Sequence, residues 1–338
     1  MVGGIQGSWY AHFEDLTITT RASTCGLPGL PIELCTKSDE LTTQEYVNYL
    51  RSYAARFALD VQCQVEVLEV EVTQEGWNVR VRRGEEVSTW SCLELIVATG
   101  KNVQPRIPAQ WAEGNVIHST GLRGPRMEEA VAAARAGELL LVGFGNSAAD
   151  IANLLLRRAP EGLVHVSMRR LPPIVRRQWG WLRMEQVARL LAWLCDKNGD
   201  RLMNWMMYVI EGDLRELFPR LNSWGARQER HIPTVDRDGS LVRHVRQQRL
   251  LCHGPACQVE LEDSKVRVRF EGEDPRSFQL VVLCTGYEAQ EVLDARAHQV
   301  GLGPEPKDLL PLRGIGREAQ RVAAEVGDLL RLKRRRAS

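Results

Sequence analysis

A buried strand that runs into a glycine-rich turn and then a helix constrains the fold of this chain more than any other segment. The strand is predicted at residues 138–142, the turn begins at Gly143, and the helix covers 147–158. A second buried strand follows at 163–168. Together these elements predict a βαβ unit of about 30 residues. That context makes the turn a specific signal for a dinucleotide-binding corner.

The residues of the turn are those that such a corner needs. Gly143 permits the tight strand-to-helix turn, Gly145 lets the backbone approach a pyrophosphate, and Ala148 keeps the helix close to the strand. The helix N-terminus offers free N–H groups and a positive dipole end, so we expect Asn146 and Ser147 to lie at the phosphates. A plain structural turn is the alternative.

Two arginines follow the second strand of this unit. An NAD site would carry Asp or Glu near this point to bind the ribose hydroxyl, whereas the sequence has Arg169 and Arg170. Arginines suit a ribose 2′-phosphate through paired, charge-assisted hydrogen bonds. The pair therefore predicts NADP(H) rather than NAD, with a solvated basic loop as the alternative.

Outside this unit, helical and strand patterns alternate along the chain, which indicates an α/β protein. The remaining predicted elements are a helix at 41–59, half-buried antiparallel strands at 65–72 and 77–81, a buried strand at 93–100, a short helix at 128–136, a helical insertion at 179–222, alternating strands at 259–270, a buried strand at 278–286 and a closing helix at 319–332. In the alternating segment, Val266, Val268 and Phe270 fall on one face. We expect the dinucleotide-binding domain to interrupt another domain, because similar elements precede and follow it.

The composition narrows the class of protein. A formal net charge of +1 gives no bulk electrostatic support for a nucleic-acid partner. None of the eight cysteines lies in a CxxC pair, which argues against a dithiol–disulfide oxidoreductase and indicates reduced, buried cysteines in a cytoplasmic protein. We predict neither a signal peptide nor a membrane span, since no apolar stretch reaches ~20 residues. The histidines lack metal-ligand spacing, so no metal is expected.

Several short motifs follow one another along the chain in an order that is typical of a known family. In that order they are Gly3-Gly4 with Trp9, the helix at 41–59, the antiparallel strands, Ala98-Thr99-Gly100, Gly114 with His118, the turn from Gly143 to Asp150, and Thr285-Gly286-Tyr287. The set resembles the flavin-containing monooxygenases, the FMO-like flavoproteins, over nearly the whole chain.

This resemblance implies two cofactors, FAD and NADPH, and two Rossmann-like dinucleotide-binding domains. The NADPH domain would be residues 126–255, inserted in an incomplete FAD domain formed by 1–125 and 256–338. At the flavin the resemblance places Trp9, Val67, Thr99, Gly100, Thr285 and Gly286. It implies that NADPH reduces FAD and that a flavin hydroperoxide oxygenates a soft nucleophile, an amine nitrogen or a sulfide sulfur, of a small molecule. The cofactor carries this chemistry, so we assign no catalytic side chain.

The chain also departs from the family pattern. We find no first strand and GxGxxG turn of the FAD unit, and the segment Gly3 to Gly7 does not replace them. The family has a signature F-x-G-x-x-x-H, which Gly114 and His118 match here. Ala112 stands at the position of its Phe, and Leu122 stands at its closing aromatic position. These departures predict that the first βαβ half-unit of the flavin domain is lacking.

Two further interpretations therefore stay open. A truncated or degenerate NADP(H)-binding pseudoenzyme would keep the glycine corner without binding FAD tightly. An interaction protein would instead use a tryptophan-rich insertion and a basic C-terminal tail, Lys333 to Arg336. The insertion carries Trp179, Trp181, Trp193 and Trp205. It could make peripheral contact with a membrane surface or pack on its own domain. Neither substrate nor oligomeric state is predicted.

Overall fold

The computed structural model describes most of the chain outside one long central segment. The described residues are 15–19, 21–32, 40–100, 104–111, 113–169, 174–176, 178–179, 182–183, 234–236, 239–288, 297–300 and 311–337, with the single positions 7, 9, 12 and 102.

Helices and strands alternate within these residues, as an α/β protein requires. The helices are α1 (Thr43–Arg56), α2 (Pro125–Ala136), α3 (Asn146–Arg158), α4 (Ser240–Arg246) and α5 (Pro311–Ala337). The strands are β1 (Glu66–Val72), β2 (Trp77–Arg83), β3 (Glu86–Cys92), β4 (Ile96–Val97), β5 (Val116–His118), β6 (Leu139–Val142), β7 (Val164–Ser167), β8 (Ile174–Arg176), β9 (Gln178–Trp179), β10 (Leu182–Arg183), β11 (Thr234–Asp236), β12 (Leu250–His253), β13 (Ala256–Glu262), β14 (Lys265–Phe270), β15 (Arg276–Phe278), β16 (Leu280–Leu283) and β17 (His298–Gln299).

The chain divides into two compact units. Unit 1 combines Met1–Gln104 with Tyr287–Ser338, and unit 2 is Pro105–Gly286. The boundaries of these units differ from 125/126 and 255/256. The difference arises because β5 and β16 pair in the same sheet as β6, so the segments before and after the glycine turn belong to one unit.

A five-stranded parallel sheet forms the centre of unit 2. Its strand order is β12-β7-β6-β16-β5. Strands of a parallel sheet that is covered on both faces are apolar throughout, which explains why Leu139 to Leu141 and Leu280 to Leu283 are fully buried. The α/β class and the βαβ unit at 138–168 are confirmed.

An antiparallel meander of β13, β14 and β15 covers one face of this sheet. Val266, Val268 and Phe270 are fully buried, as their spacing predicts, and they pack with Leu140 and Val281 of the sheet. Side chains alternate between faces along a strand, so the neighbours of these two sheet residues point to the opposite face. The helices α2 and α3 lie against β6 on that side.

Unit 1 contains helix α1, an antiparallel sheet β1-β2-β3 and a parallel pair β4-β17. A capping box starts α1: the Thr42 hydroxyl accepts from the Glu45 N–H, and the Glu45 carboxylate accepts from the Thr42 N–H. The helix buries Tyr46 and Tyr49 in an aromatic and aliphatic cluster.

Two strand predictions in unit 1 are wrong in detail. Strand β1 is largely exposed rather than half-buried, because among the described strands it pairs only with β2 at the edge of its sheet, and 52% of Val67 is accessible. The buried strand expected at 93–100 reduces to Ile96–Val97, which pair with β17 and with no other strand in the described part of the chain, and Ile96 is exposed.

Two further differences concern the insertion and the last helix. The predicted helical insertion at 179–222 does not begin as a helix, because Trp179 and Leu182 lie in the short antiparallel pair β9-β10; its remainder is outside the described residues. Helix α5 extends beyond the predicted 319–332 at both ends. Across the described ranges, no helix combines the length and the apolar character that crossing a membrane demands.

Candidate nucleotide-binding site

The turn after β6 is built around Gly143. Its φ of +101° lies in the region that favours glycine, and a Cβ atom built there would lie 2.5 Å from the Cys284 carbonyl oxygen. The Gly143 N–H donates to the Ser167 carbonyl at 2.8 Å. Backbone conformation and close packing against the next strand therefore both demand glycine at this position.

Gly145 has a different environment. It is exposed, its φ is −90°, and a Cβ atom built there would meet no heavy atom within 4 Å. Neither conformation nor internal packing explains a glycine here. The open space is what close approach of a pyrophosphate requires, so this corner fits a dinucleotide.

Helix α3 begins directly at this open space. Gly145 is its N-cap residue, and no side chain caps the end. The first N–H groups of an α-helix have no partner inside the helix and attract anions. Ser147 is exposed at this end, and Ala148 is fully buried, which brings the helix close to the sheet.

A short strand far along the sequence fixes the back of the turn. The Thr234 hydroxyl of β11 donates to the Phe144 carbonyl at 2.8 Å, and Thr234 is fully buried. The Val235 N–H donates to the Asn146 side-chain oxygen at 2.8 Å. Asn146, which the sequence places at the phosphates, thus directs its oxygen at its own protein chain. Thr234 could not be predicted as a site residue, because no glycine-rich motif or spacing indicates it.

The same strand ends in a buried carboxylate. Asp236 is fully buried, and its two oxygens accept from the N–H groups of Leu241 and Val242 at 3.2 and 3.3 Å in the first turn of α4. Strand β11 also pairs in parallel with β8. These contacts hold Thr234 in a fixed position beside the glycine turn.

The two predicted phosphate-binding arginines follow β7. Arg169 is exposed just beyond the end of that strand, at the same edge of the sheet as the glycine turn. Arg170 lies outside the described residues.

Of the residues predicted at the flavin, Thr285 and Gly286 lie in unit 2. The Thr285 hydroxyl donates to the Arg106 carbonyl at 2.5 Å. Gly286 has a φ of +78°, with open space where a side chain would begin. Its carbonyl accepts from the Arg106 N–H and bonds to His118 Nε2, both at 3.0 Å. Burial lowers the pKa of His118, so the neutral ring is favoured.

The other predicted flavin residues lie in unit 1. Trp9 packs edge-on against Tyr46, with ring centroids 4.9 Å apart. Val67 is exposed on β1, and Thr99 is exposed after β4. Gly100 has a φ of +79° and open space at its Cβ position. Trp9 and Val67 are therefore in different local settings, one in a core cluster and one on an edge strand.

A buried histidine pair lies between the sheet and the meander of unit 2. His165 Nδ1 is 2.8 Å from His253 Nε2, and His253 Nδ1 is 2.8 Å from a Glu273 oxygen. Desolvation, helped by the nearby charges of His253 and Arg276, lowers the pKa of His165 to about 4. No sequence motif predicts this network, because its members come from three separate segments.

The comparison with known families agrees with this geometry. The pyridine nucleotide-disulphide oxidoreductase family matches residues 7–183, which include the glycine turn and Arg169. The chain belongs to this family. It is an oxidoreductase of FMO-like type, and the predicted resemblance to flavin-containing monooxygenases is confirmed.

Individual relatives of the chain agree with this assignment. An indole-3-pyruvate monooxygenase, YUCCA1, of Oryza sativa is 25% identical over 302 residues, which cover 84% of this chain and 69% of the relative. The uncharacterized oxidoreductase CzcO of Bacillus subtilis is 28% identical over 149 residues, 43% of this chain and 40% of the relative. The chain thus spans between two fifths and about two thirds of the length of these relatives.

A solved structure shares the fold of the chain. The flavin-containing monooxygenase of Stenotrophomonas maltophilia superimposes with a TM-score of 0.64 at 18% identity, covering 96% of this chain and 88% of that protein. The predicted fold class, with two Rossmann-like domains, is confirmed.

The family includes disulphide oxidoreductases, but the cysteines here have another character. The described cysteines are Cys25, Cys63, Cys92, Cys252, Cys257 and Cys284, and none of these six is in a disulfide. Their expected burial is only partly correct, since Cys257 is exposed. Desolvation raises the pKa of the Cys252 and Cys284 thiols, which favours the protonated form.

Proposed function

We propose that the chain is an NADPH- and FAD-dependent monooxygenase that oxygenates a soft nucleophile, an amine nitrogen or a sulfide sulfur, of a small molecule. One observation carries the proposal: the exposed Gly145 faces open space at the uncapped N-terminus of α3, in a chain of the FMO-like family. A turn with only a structural role would not require glycine at position 145.

In this proposal unit 2 binds NADPH. The N–H groups of Gly145, Asn146 and Ser147 would bind the pyrophosphate, because they lie at the positive end of α3. Arg169 and Arg170 would bind the ribose 2′-phosphate through charge-assisted hydrogen bonds.

As flavin contacts we propose Gly100 in unit 1 and Gly286 in unit 2, each taken by itself from the family resemblance; each has a positive φ and open space at its Cβ position. Bound FAD and NADPH would supply the hydride transfer and the oxygen activation. The protein would then need to bind and orient the cofactors and the substrate, and to exclude water from them. The protonated thiol of Cys284 is a poor nucleophile, which is consistent with chemistry carried by the cofactors and not by a cysteine.

The oxygenation of an amine or a sulfide rests on the family resemblance. The rice relative is named for indole-3-pyruvate, a different kind of substrate. We propose the soft nucleophile as the substrate class.

A second candidate is the NADP(H)-binding pseudoenzyme. The observation in its favour is in unit 1: the parallel pair β4-β17 leaves Ile96 exposed, and none of its described helices follows a strand through a glycine corner like that at Gly143. Residues in this part of unit 1 would hold the adenosine half of FAD less firmly than unit 2 holds NADPH.

A visible spectrum of the purified full-length chain separates the two candidates. The enzyme is expected to show flavin absorption that NADPH bleaches under anaerobic conditions and that air restores. The pseudoenzyme would be colourless and would still bind NADPH in calorimetry. A colourless protein that binds no nucleotide would contradict both candidates.

A further inference from the structure

The orientation of one peptide group decides what the glycine corner presents to a ligand. The carbonyl of Phe144 and the N–H of Gly145 belong to the same peptide unit. In a trans peptide these two groups point in opposite directions, and no described peptide bond is cis. Whatever holds the Phe144 carbonyl therefore also aims the Gly145 N–H.

Thr234 is the group that holds this carbonyl. Its hydroxyl donates to the Phe144 oxygen at 2.8 Å from the buried side of the turn. Both residues are buried, with Thr234 fully inaccessible and Phe144 5% exposed, whereas Gly145 is exposed. The hydrogen bond thus draws the carbonyl inward and leaves the N–H on the open side.

The opposite orientation would be accessible without this bond. Glycine adopts positive and negative φ with similar ease, so the peptide before Gly145 can rotate at little conformational cost. A rotated peptide would direct the carbonyl oxygen of Phe144, rather than an N–H, at the open space. An oxygen dipole there repels a phosphate, because both carry negative charge.

The strand that carries Thr234 is itself fixed from two sides. The Val235 N–H bonds to the Asn146 side chain, and Asp236 binds the first turn of α4. The hydroxyl therefore has a rigid support, which positioning of a binding group requires.

We propose that Thr234 is a positioning residue of the nucleotide corner: its hydroxyl holds the Phe144 carbonyl and so aims the Gly145 N–H at the pyrophosphate. This role rests on the proposed binding of NADPH to unit 2. It gives a function to a residue that lies 90 positions beyond the turn and outside every glycine-rich motif.

The test uses a loss, a rescue and a matched control. Thr234→Val keeps the shape and removes the hydroxyl, and Thr234→Ser keeps the hydroxyl. Thr43→Val is the control, because Thr43 is also buried and also donates to a backbone carbonyl, that of Leu16 at 3.0 Å, in unit 1. If Thr234→Val does not fold, as judged by circular dichroism, Thr234→Ala replaces it.

The first readout is the Kd of NADP⁺ measured by calorimetry on the full chain. Thr234→Val is expected to raise Kd about tenfold, and Thr234→Ser is expected to stay within about twofold of the parent protein. Thr43→Val should lower stability without changing Kd. Equal Kd values for the parent and Thr234→Val would overturn the proposal, and so would a Thr234→Ser variant as weak as Thr234→Val.

The second readout needs no ligand. Phe144-Gly145 is the only Phe-Gly pair in the sequence, so labelling phenylalanine carbonyls with ¹³C and glycine nitrogens with ¹⁵N gives a single correlated NMR signal for this peptide. The signal should move in Thr234→Val and return in Thr234→Ser. If the parent protein binds no nucleotide, the proposed function fails, and an unmoved signal in Thr234→Val then separately overturns the positioning role.

Discussion

His118 Nε2 lies 3.0 Å from the carbonyl oxygen of Gly286, and this contact joins the end of β5 to the turn after β16. A carbonyl only accepts, so the ring must donate from Nε2. Nδ1 then accepts, and it lies 3.0 Å from the Thr120 hydroxyl and 3.3 Å from the Thr120 N–H. The neutral ring that burial favours satisfies both contacts at once.

Replacing this histidine should therefore loosen the turn at Gly286. We expect His118→Leu to lower the free energy of unfolding by about 1–2 kcal/mol, as the loss of a buried hydrogen bond does. The Arg106 N–H still donates to the same carbonyl, which limits the loss. His118→Gln can donate from its amide and should recover part of the stability in urea unfolding. Equal stabilities for His118→Leu and the parent would refute the role of this contact.

The two glycines of the corner should respond in opposite ways to the same change. Gly145→Ala places a methyl group in open space with an ordinary φ, so stability should hold while the Kd of NADPH rises at least about tenfold. Gly143→Ala meets the Cys284 carbonyl at 2.5 Å with a φ of +101° and should fold poorly. Thermal melting and calorimetry on both variants check this. If Gly145→Ala binds NADPH with the Kd of the parent protein, the nucleotide does not contact this glycine.

The choice between NADPH and NADH should depend on Arg169. Removing one arginine from a 2′-phosphate costs about 1.5–3 kcal/mol when the hydrogen bond is charged, so Arg169→Ala should reduce the preference for NADPH about tenfold or more. Arg157→Ala, on the last turn of α3, provides a control of equal charge change. Kd values for both nucleotides give the ratio directly. A ratio that Arg169→Ala leaves unchanged would place the 2′-phosphate elsewhere.

Local pattern was sufficient to predict the βαβ unit and its glycine turn. Strands covered on both faces must be apolar throughout, and the residues at Gly143 and Ala148 are set by the strand and helix beside them. Those constraints act within about 30 residues of sequence. The alternation at Val266 to Phe270 was informative for the same reason, since one face of that strand contacts the core.

Pairing partners from distant segments could not be predicted. Thr234 reaches the glycine turn only because β11 pairs with β8, and His253 reaches His165 only because β12 pairs with β7. In the segment 93–100 the sequence predicts more structure than forms, because its apolar run is typical of a long buried strand. Among the described residues, strand pairing in this segment covers Ile96 and Val97, which pair with β17, and such pairing depends on the surroundings and not on the run itself.

The histidine pair of unit 2 should make stability depend on pH. His165 is buried, and its pKa in the fold is about 4, below its usual value of 6.5. The charged groups that influence its pKa are His253, Arg276 and Glu273. Between these two pKa values the unfolded chain binds more protons than the folded chain, so stability falls as the pH drops from 6.5 towards 4.

His165→Gln tests this dependence, because it removes the titrating group and retains a side chain that can form hydrogen bonds. The parent protein should lose about 2 kcal/mol of unfolding free energy between pH 7 and pH 5 through this group, and His165→Gln should not. Ser167→Ala is the control on the same strand: it removes the bond to the Gly254 carbonyl but leaves His165 to titrate, so its loss between the two pH values should match that of the parent. Urea unfolding at each pH gives the three differences. If His165→Gln loses as much stability as Ser167→Ala on acidification, another group causes the acid sensitivity, because only the titration of His165 distinguishes these two variants.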